Sequence, residues 1–194
     1  MTKHRYNPGA TAIHRRTPSR PAKAITASPD LDLTSILDLG CGKGADLAHY
    51  QAYSDKLGLG AHIVGYDPHQ KERLELPPVQ PKFKTVAITY VLNVLPTFAK
   101  RFQCLIRART YLAKGGHLVV TVRPKTEIER EAKKKDWPPV LDGYYSNYNK
   151  GMIQVGLSKD DIRNVARKAR LVESETQLTI PGATCVVLEK EEDE

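Results

Sequence analysis

The residues with the most chemical content are Asp38 and the glycines after it, in Ile36-Leu37-Asp38-Leu39-Gly40-Cys41-Gly42-Lys43-Gly44. An apolar run enters a turn with glycine at every second position. A second apolar run, Ile63-Val64-Gly65-Tyr66, ends on Asp67, 23 residues beyond Gly44. A turn without side chains lets a ligand approach the backbone, and an acid at the next strand end can accept from ribose hydroxyls. A nucleotide-type ligand needs both. The spacing is not the G-x-G-x-x-G of dinucleotide-binding folds. The plainer readings are a tight strand-to-helix turn, which needs only one or two glycines, and a turn-forming Asp67 before Pro68. Cys41 has no base beside it in sequence, so a small side chain facing the domain suits it better than a nucleophile.

Such a site needs a strand–turn–helix frame, and the chain carries one. Residues 35–39 and 61–66 are predicted strands, apolar as where helices cover both sheet faces. Residues 45–57 have helical spacing (Leu47, Ala48, Tyr50, Ala52, Tyr53, Leu57) and stop at Gly58 and Gly60. Pro77, Pro78 and Pro81 leave residues 68–82 little regular structure, so a third strand and its helix are expected to be reduced. A strand over 84–92 is followed by a helix over 98–112, ended by Lys114-Gly115-Gly116. Next come a strand over 116–122, a charged helix over 125–135 and a helix from the Ser158 cap to Arg170. Strands 171–180 and 184–188, joined by Pro181-Gly182-Ala183, predict a terminal hairpin. The fold class is α/β, a doubly wound, mostly parallel sheet with an antiparallel pair at its end. Residues 1–27 read as a basic extended arm, 28–190 as the α/β domain and 191–194 as an acidic tail.

The chain of 194 residues is long enough to bury a core without staples. Its 40% hydrophobic and 27% charged content fits a soluble globular protein. There is no apolar run of membrane-spanning length, and the start lacks the apolar centre of a signal peptide. Cys41, Cys104 and Cys185 are odd in number and far apart, which points to a reducing, cytoplasmic setting. Neither they nor the six histidines have zinc-ligand spacing, and no metal is expected. The net charge of +8 is uneven. Lys3, Arg5, Arg15, Arg16, Arg20 and Lys23 face no acid within residues 1–27, and Lys100, Arg101, Arg107, Arg109 and Lys114 form a second acid-free stretch. Such patches draw polyanions. A solvated basic surface accounts for them equally well.

With Asp38 ahead of Gly40, Gly42 and Gly44, the loop resembles the E/D-x-G-x-G-x-G signature of class I S-adenosylmethionine-dependent methyltransferases. The loop, Asp67, the stretch Thr89-Tyr90-Val91-Leu92-Asn93-Val94-Leu95-Pro96 and Lys114-Gly115-Gly116-His117-Leu118-Val119-Val120 occur in that family's order, across residues 34–123. The resemblance implies a Rossmann-like methyltransferase fold, S-adenosylmethionine as cofactor and methyl transfer without a metal. It implies cofactor contacts at Asp38, Gly40, Cys41, Gly42, Gly44, Asp67 and Tyr90, with Asp38 toward the cationic end. A narrower set is similar to a bacterial and phage group of methyltransferases associated with DNA phosphorothioation. It comprises Arg15-Arg16-Thr17-Pro18-Ser19-Arg20-Pro21, Tyr66-Asp67-Pro68, Tyr90 to Pro96 and Gly151-Met152-Ile153-Gln154. Two departures stand out. The acid that orients adenine has no clear counterpart between Asp67 and Lys84, so the adenine pocket is either more open or built by the arm. Asn93-Val94-Leu95-Pro96 keeps an Asn but lacks the paired prolines and aromatic of DNA amino-methyltransferases, and the Pro-Cys of cytosine carbon methyltransferases.

Asn93, at a strand end on the sheet's carboxyl edge, is the candidate catalytic residue, accepting from an acceptor amine or hydroxyl. Its alternative is a cap for the next turn. Arg15, Arg16, Arg20 and Tyr144 are the candidate substrate contacts. Tyr144, with Tyr145 and Tyr148, either stacks on a base or belongs to an amphipathic lid. The expected function is methyl transfer from S-adenosylmethionine to nucleic acid, DNA or RNA, with no membrane and with protein partners of a modification assembly as further candidates. Two rivals stand beside it: a small-molecule methyltransferase, and a cofactor-binding accessory subunit of a nucleic-acid-modifying system.

Overall fold

Strands whose two faces are both apolar explain the architecture. The computed structural model describes residues 6–80 and 82–191; Lys3, Arg5 and residues 192–194 of the acidic tail lie outside the described residues. The main strands are β1 (Ser35–Leu39), β2 (His62–Tyr66), β3 (Phe83–Thr89), β4 (Leu112–Val122), β8 (Leu171–Glu173) and β9 (Thr184–Lys190). They form one sheet in the order β2-β1-β3-β4-β9-β8. Neighbours from β2 through β4 are parallel, and β9 runs antiparallel to both β4 and β8. Alternation along the strands divides the core. Leu37, Val86, Ile88, Leu118, Val120 and Val186 pack with helices α3 (Phe98–Tyr111) and α5 (Lys159–Lys168). Ile36, Ala87, Val119, Cys185 and Val187 pack with α1 (Arg20–Ala27) and α2 (Ala45–Leu57) on the other face. This is the expected α/β frame.

Three elements differ from the sequence reading. Residues 1–27 are not extended throughout: Pro8–Thr11 is a short 3-10 turn, and α1 is a helix capped by the Ser19 side chain with proline in its first turn. Ala22 and Ile25 are fully buried. Basic and proline-rich composition hid this, because only one short apolar face supports the helix. Lys114-Gly115-Gly116 does not end a helix in open turn. It lies inside β4, where a register shift between Phe83 and Thr85 absorbs it. The terminal pair is antiparallel as expected, but β8 stops at Glu173 and residues 174–183 form a broad connection in place of a tight hairpin.

The third strand and its helix are reduced to a 3-10 turn, Lys71–Arg73, leaving β2 at the sheet edge. After α4 (Lys125–Lys134) an unforeseen antiparallel sheet forms from β5 (Pro139–Val140), β6 (Gly143–Asn147) and β7 (Met152–Gln154). It is tied to the 3-10 turn that follows β3, where Val155 N–H donates to Asn93 O (2.7 Å). No helix among the described residues is long and apolar enough to cross a membrane.

Candidate functional site

A cavity of about 620 Å³ opens at the carboxyl ends of β1 and β3. Its floor is the turn after β1. Gly40, Gly42 and Gly44 all have positive φ, at 91°, 53° and 81°, but Gly44 lies outside the lining, against the Arg73 guanidinium. A Cβ on Gly40 would stand 2.3 Å from Val91 Cγ2, so packing as well as φ demands glycine there. Above Gly42 the nearest atom to such a Cβ is Ala12 Cβ at 3.8 Å, so that backbone stays open for a ligand.

Asp67 braces this turn. Gly42 N–H donates to its Oδ2 (2.9 Å) and His69 N–H to its Oδ1 (2.8 Å). A carboxylate has about four acceptor positions, which leaves about two for hydroxyls of a ligand. Asp38 is only 2% exposed, and its Oδ1 has no partner among the described residues. Burial pushes its carboxyl up to about 8, with Asp46 and Asp67 adding to the rise and Arg15 and Arg73 opposing it. An orphaned, buried carboxyl is suited to a ligand cation, whose charge would restore the ionised form. Burial also pushes the Cys41 thiol up to about 12, aided by the Asp38 carboxylate, so Cys41 is a poor nucleophile.

Tyr90 and Asn93 line the same cavity. Tyr90 has φ of 58°, a conformation costing an aromatic residue roughly 1–3 kcal/mol, and its N–H donates to Thr121 O (2.8 Å). Asn93 is 2% exposed in the 3-10 turn Leu92–Val94. Its Nδ2 donates to Gln154 Oε1 (3.1 Å), while its Oδ1 has no partner among the described residues. A buried amide oxygen left free at a cavity can accept a hydrogen bond from a substrate amine or hydroxyl.

The candidate substrate contacts separate. Arg15 lies at the cavity, with its guanidinium 3.9 Å from Asp46 and 5.6 Å from the centre of the Tyr90 ring. Arg16 is exposed outside the lining, and Arg20 donates to Pro181 O (3.1 Å). Tyr144 is half-buried on β6 opposite Gln154, also outside the lining. Arg101 leaves the basic stretch altogether: it is buried, paired to Asp142 (2.6 Å), and donates to Leu95 O (2.8 Å). Lys100, Arg107 and Arg109 string out along α3, whose rise of about 1.5 Å per residue carries Arg109 far from the cavity end, and Lys114 lies in β4.

Several lining residues had no role in the sequence reading. Gln154 sat in a quoted motif without one, and its function depends on a contact across 61 positions of chain. Arg123 and Glu127 line the cavity as an ion pair, with Glu131 accepting from the same guanidinium (2.9 Å). Glu127 reads in sequence only as part of a charged helix.

A family model described as "Methyltransferase domain" matches residues 2–169. No curated protein matches the chain. Among solved structures, the chain resembles the CcbJ methyltransferase from Streptomyces caelestis (13% identity, TM-score 0.58, covering 95% of this chain and 93% of that one). It also resembles the sugar N-methyltransferase KedS8 from Streptoalloteichus sp ATCC 53650 (14% identity, TM-score 0.59, covering 90% and 88%). A third likeness is to an S-adenosylmethionine-dependent methyltransferase from Clostridium acetobutylicum ATCC 824 (11% identity, TM-score 0.54, covering 88% and 91%). At these identities the structural likeness concerns the fold.

Proposed function

We propose that the chain, which belongs to the methyltransferase-domain family, transfers the methyl group of S-adenosylmethionine to an amine or hydroxyl of nucleic acid. When bound, S-adenosylmethionine supplies a methyl group on a sulfonium, already activated as an electrophile. What the protein must add is alignment and exclusion of water. In this reading the open backbone at Gly42 seats the ligand, Asp67 accepts from its ribose, and Asp38 offers a carboxyl to its cationic end. The oxygens without partners fit the group: Asp38 Oδ1 would meet its charge and Asn93 Oδ1 would meet a donor of the acceptor. Asn93 would hold the acceptor's N–H or O–H, keeping its lone pair directed into the cavity. Gln154, also in the lining, accepts from the Asn93 amide and holds it.

The nucleic-acid reading is carried by cations at a cavity that Asp38, Asp46, Asp67 and Glu127 also line, together with the basic charge of the whole chain. Arg15 and the exposed Lys43 both line that cavity, in a chain of net charge +8. A duplex base would have to leave its stack to reach this cavity. The narrower resemblance to phosphorothioation-associated methyltransferases agrees with this acceptor, and we propose that the chain belongs with that group. A small-molecule acceptor is the second reading. It is favoured by the burial of Arg101 and by the position of Arg109 away from the cavity. The test is incubation with methyl-labelled S-adenosylmethionine and, separately, DNA, RNA and a small-molecule extract. Label in DNA or RNA is the expected result. Label only in the extract supports the second reading, and tight cofactor binding with no transfer supports an accessory subunit.

A further inference from the structure

Among the described residues no strand or helix stands beyond β2, where only the Lys71–Arg73 turn separates it from β3. The cavity beside Asp67 is nevertheless walled. Pro8, Gly9, Ala10, Thr11, Ala12 and Ile13 line it. This strap is tied down on both sides. Tyr6 Oη donates to Val94 O (3.3 Å) and Asn7 N–H to Gly151 O (2.8 Å). At the other end Ser19 N–H and Oγ both donate to Asp46, each at 2.7 Å, in the first turn of α2. Between the ties the backbone presses on the residues that follow Asp67: a Cβ on Gly9 would stand 2.6 Å from His69 Cβ. Ala12 lies over Gly42. Ile13 is 69% exposed although it lines the cavity, an apolar side chain left in water there.

We propose that residues 8–13 form the wall covering the adenosine end of the cofactor, in place of the strand and helix missing beyond β2. This rests on the reading that S-adenosylmethionine occupies this cavity. A flat heterocycle lying beyond Asp67 meets the strap backbone at Gly9 and Ala10 and the apolar side chains of Ala12 and Ile13. Covering Ile13 then removes apolar surface from water on binding, which the ligand-free form leaves unused. The strap carries few buried apolar side chains of its own, so it is a segment that opens at low cost and is held closed by what it covers.

S-adenosylhomocysteine is the probe, used with the full-length chain. Trypsin cleavage after Arg15 and Arg16 is expected to slow by about tenfold when the probe is bound, because the strap is then held shut. Ile13→Ser is expected to weaken probe binding in calorimetry by roughly five- to tenfold through lost apolar burial. Gly9→Val, which drives the strap off His69, is expected to weaken it further. Unchanged cleavage, or parental affinity in Ile13→Ser and Gly9→Val while Gly42→Val has lost binding, overturns the wall and leaves the cofactor in the cavity. Full affinity in Gly42→Val removes the cofactor from this cavity, and the wall falls with it. If Gly9→Val fails to fold, the exposed position of Ile13 lets Ile13→Ser decide.

Discussion

Asp38 is the residue where environment changes chemistry most. Its carboxyl is raised to about 8 by burial, against an unfolded value of about 3.9. Between those values the folded chain holds a proton that the unfolded chain has released. Stability contributed by this group is therefore full below about pH 4 and falls as pH rises toward about 8. Asp38→Asn is expected to flatten that part of the melting-temperature profile and to exceed the parent near pH 8 in the absence of ligand. The same substitution should weaken S-adenosylmethionine binding and remove its gain with rising pH, since only the carboxylate pairs with a cation. Parallel profiles in parent and variant would show that Asp38 does not titrate in this window. Asn93 makes the complementary case on the acceptor side. Asn93→Ala is expected to cut turnover by about tenfold to thousandfold, with S-adenosylmethionine affinity within a few-fold of the parent. Retained turnover with a loss of about 1 kcal/mol in stability would make Asn93 a turn cap only.

The element with the largest gap between composition and role is α1. Ser19 caps it, Pro21 suits its first turn, and Ile25 is fully buried against the α2 face of the sheet. Ser19 also bonds Asp46 at the start of α2, so the helix fixes the end of the strap as well as the helix that follows the glycine turn. Ile25→Ala is expected to cost about 2–5 kcal/mol, read as a fall in denaturation midpoint, because a packed site collapses only partly. A peripheral arm would lose almost nothing. The β5–β7 sheet plays a similar part on the acceptor side. It delivers Gln154 to Asn93 and is anchored by the Val155–Asn93 backbone bond.

At the scale of the whole molecule, charge divides into three kinds. Arg101 is structural: it bonds Asp142 and Leu95 O. Arg101→Ala is expected to cost about 1.5–3 kcal/mol of stability, the range for hydrogen bonds to a charged group. Arg15 and Lys43 stand at the cavity, while Arg16, next in the chain to Arg15, is exposed outside its lining. If nucleic acid is the acceptor, Arg16→Glu should reduce the slope of log affinity against log salt by about 0.9, one phosphate contact, in filter binding or anisotropy. An unchanged slope would leave Arg16 without a phosphate contact. Arg109 bonds Arg170 O at the far end of α3 and belongs to the third kind, surface charge remote from the site.

The sequence by itself determined the parallel frame and the glycine turn and carboxylates that line the cavity. β1, the glycine turn, α2 and Asp67 are contiguous, and local rules of strand period, glycine φ and carboxylate placement suffice for contiguous pieces. Ser158 as a helix cap was legible for the same reason, and its capping box with Asp161 is local. The reduced third strand was legible from its prolines. Tertiary structure alone decided which residues meet across long separations. Arg101 reads as a surface cation until Asp142 arrives beside it, and the arm reads equally as free or ordered against the domain until His69, Gly151 and Asp46 hold it. Gln154 has no readable role until β7 brings its amide to Asn93. Hydrogen bonds and burial between distant segments leave no period and no motif in the chain, so only the packed molecule shows them.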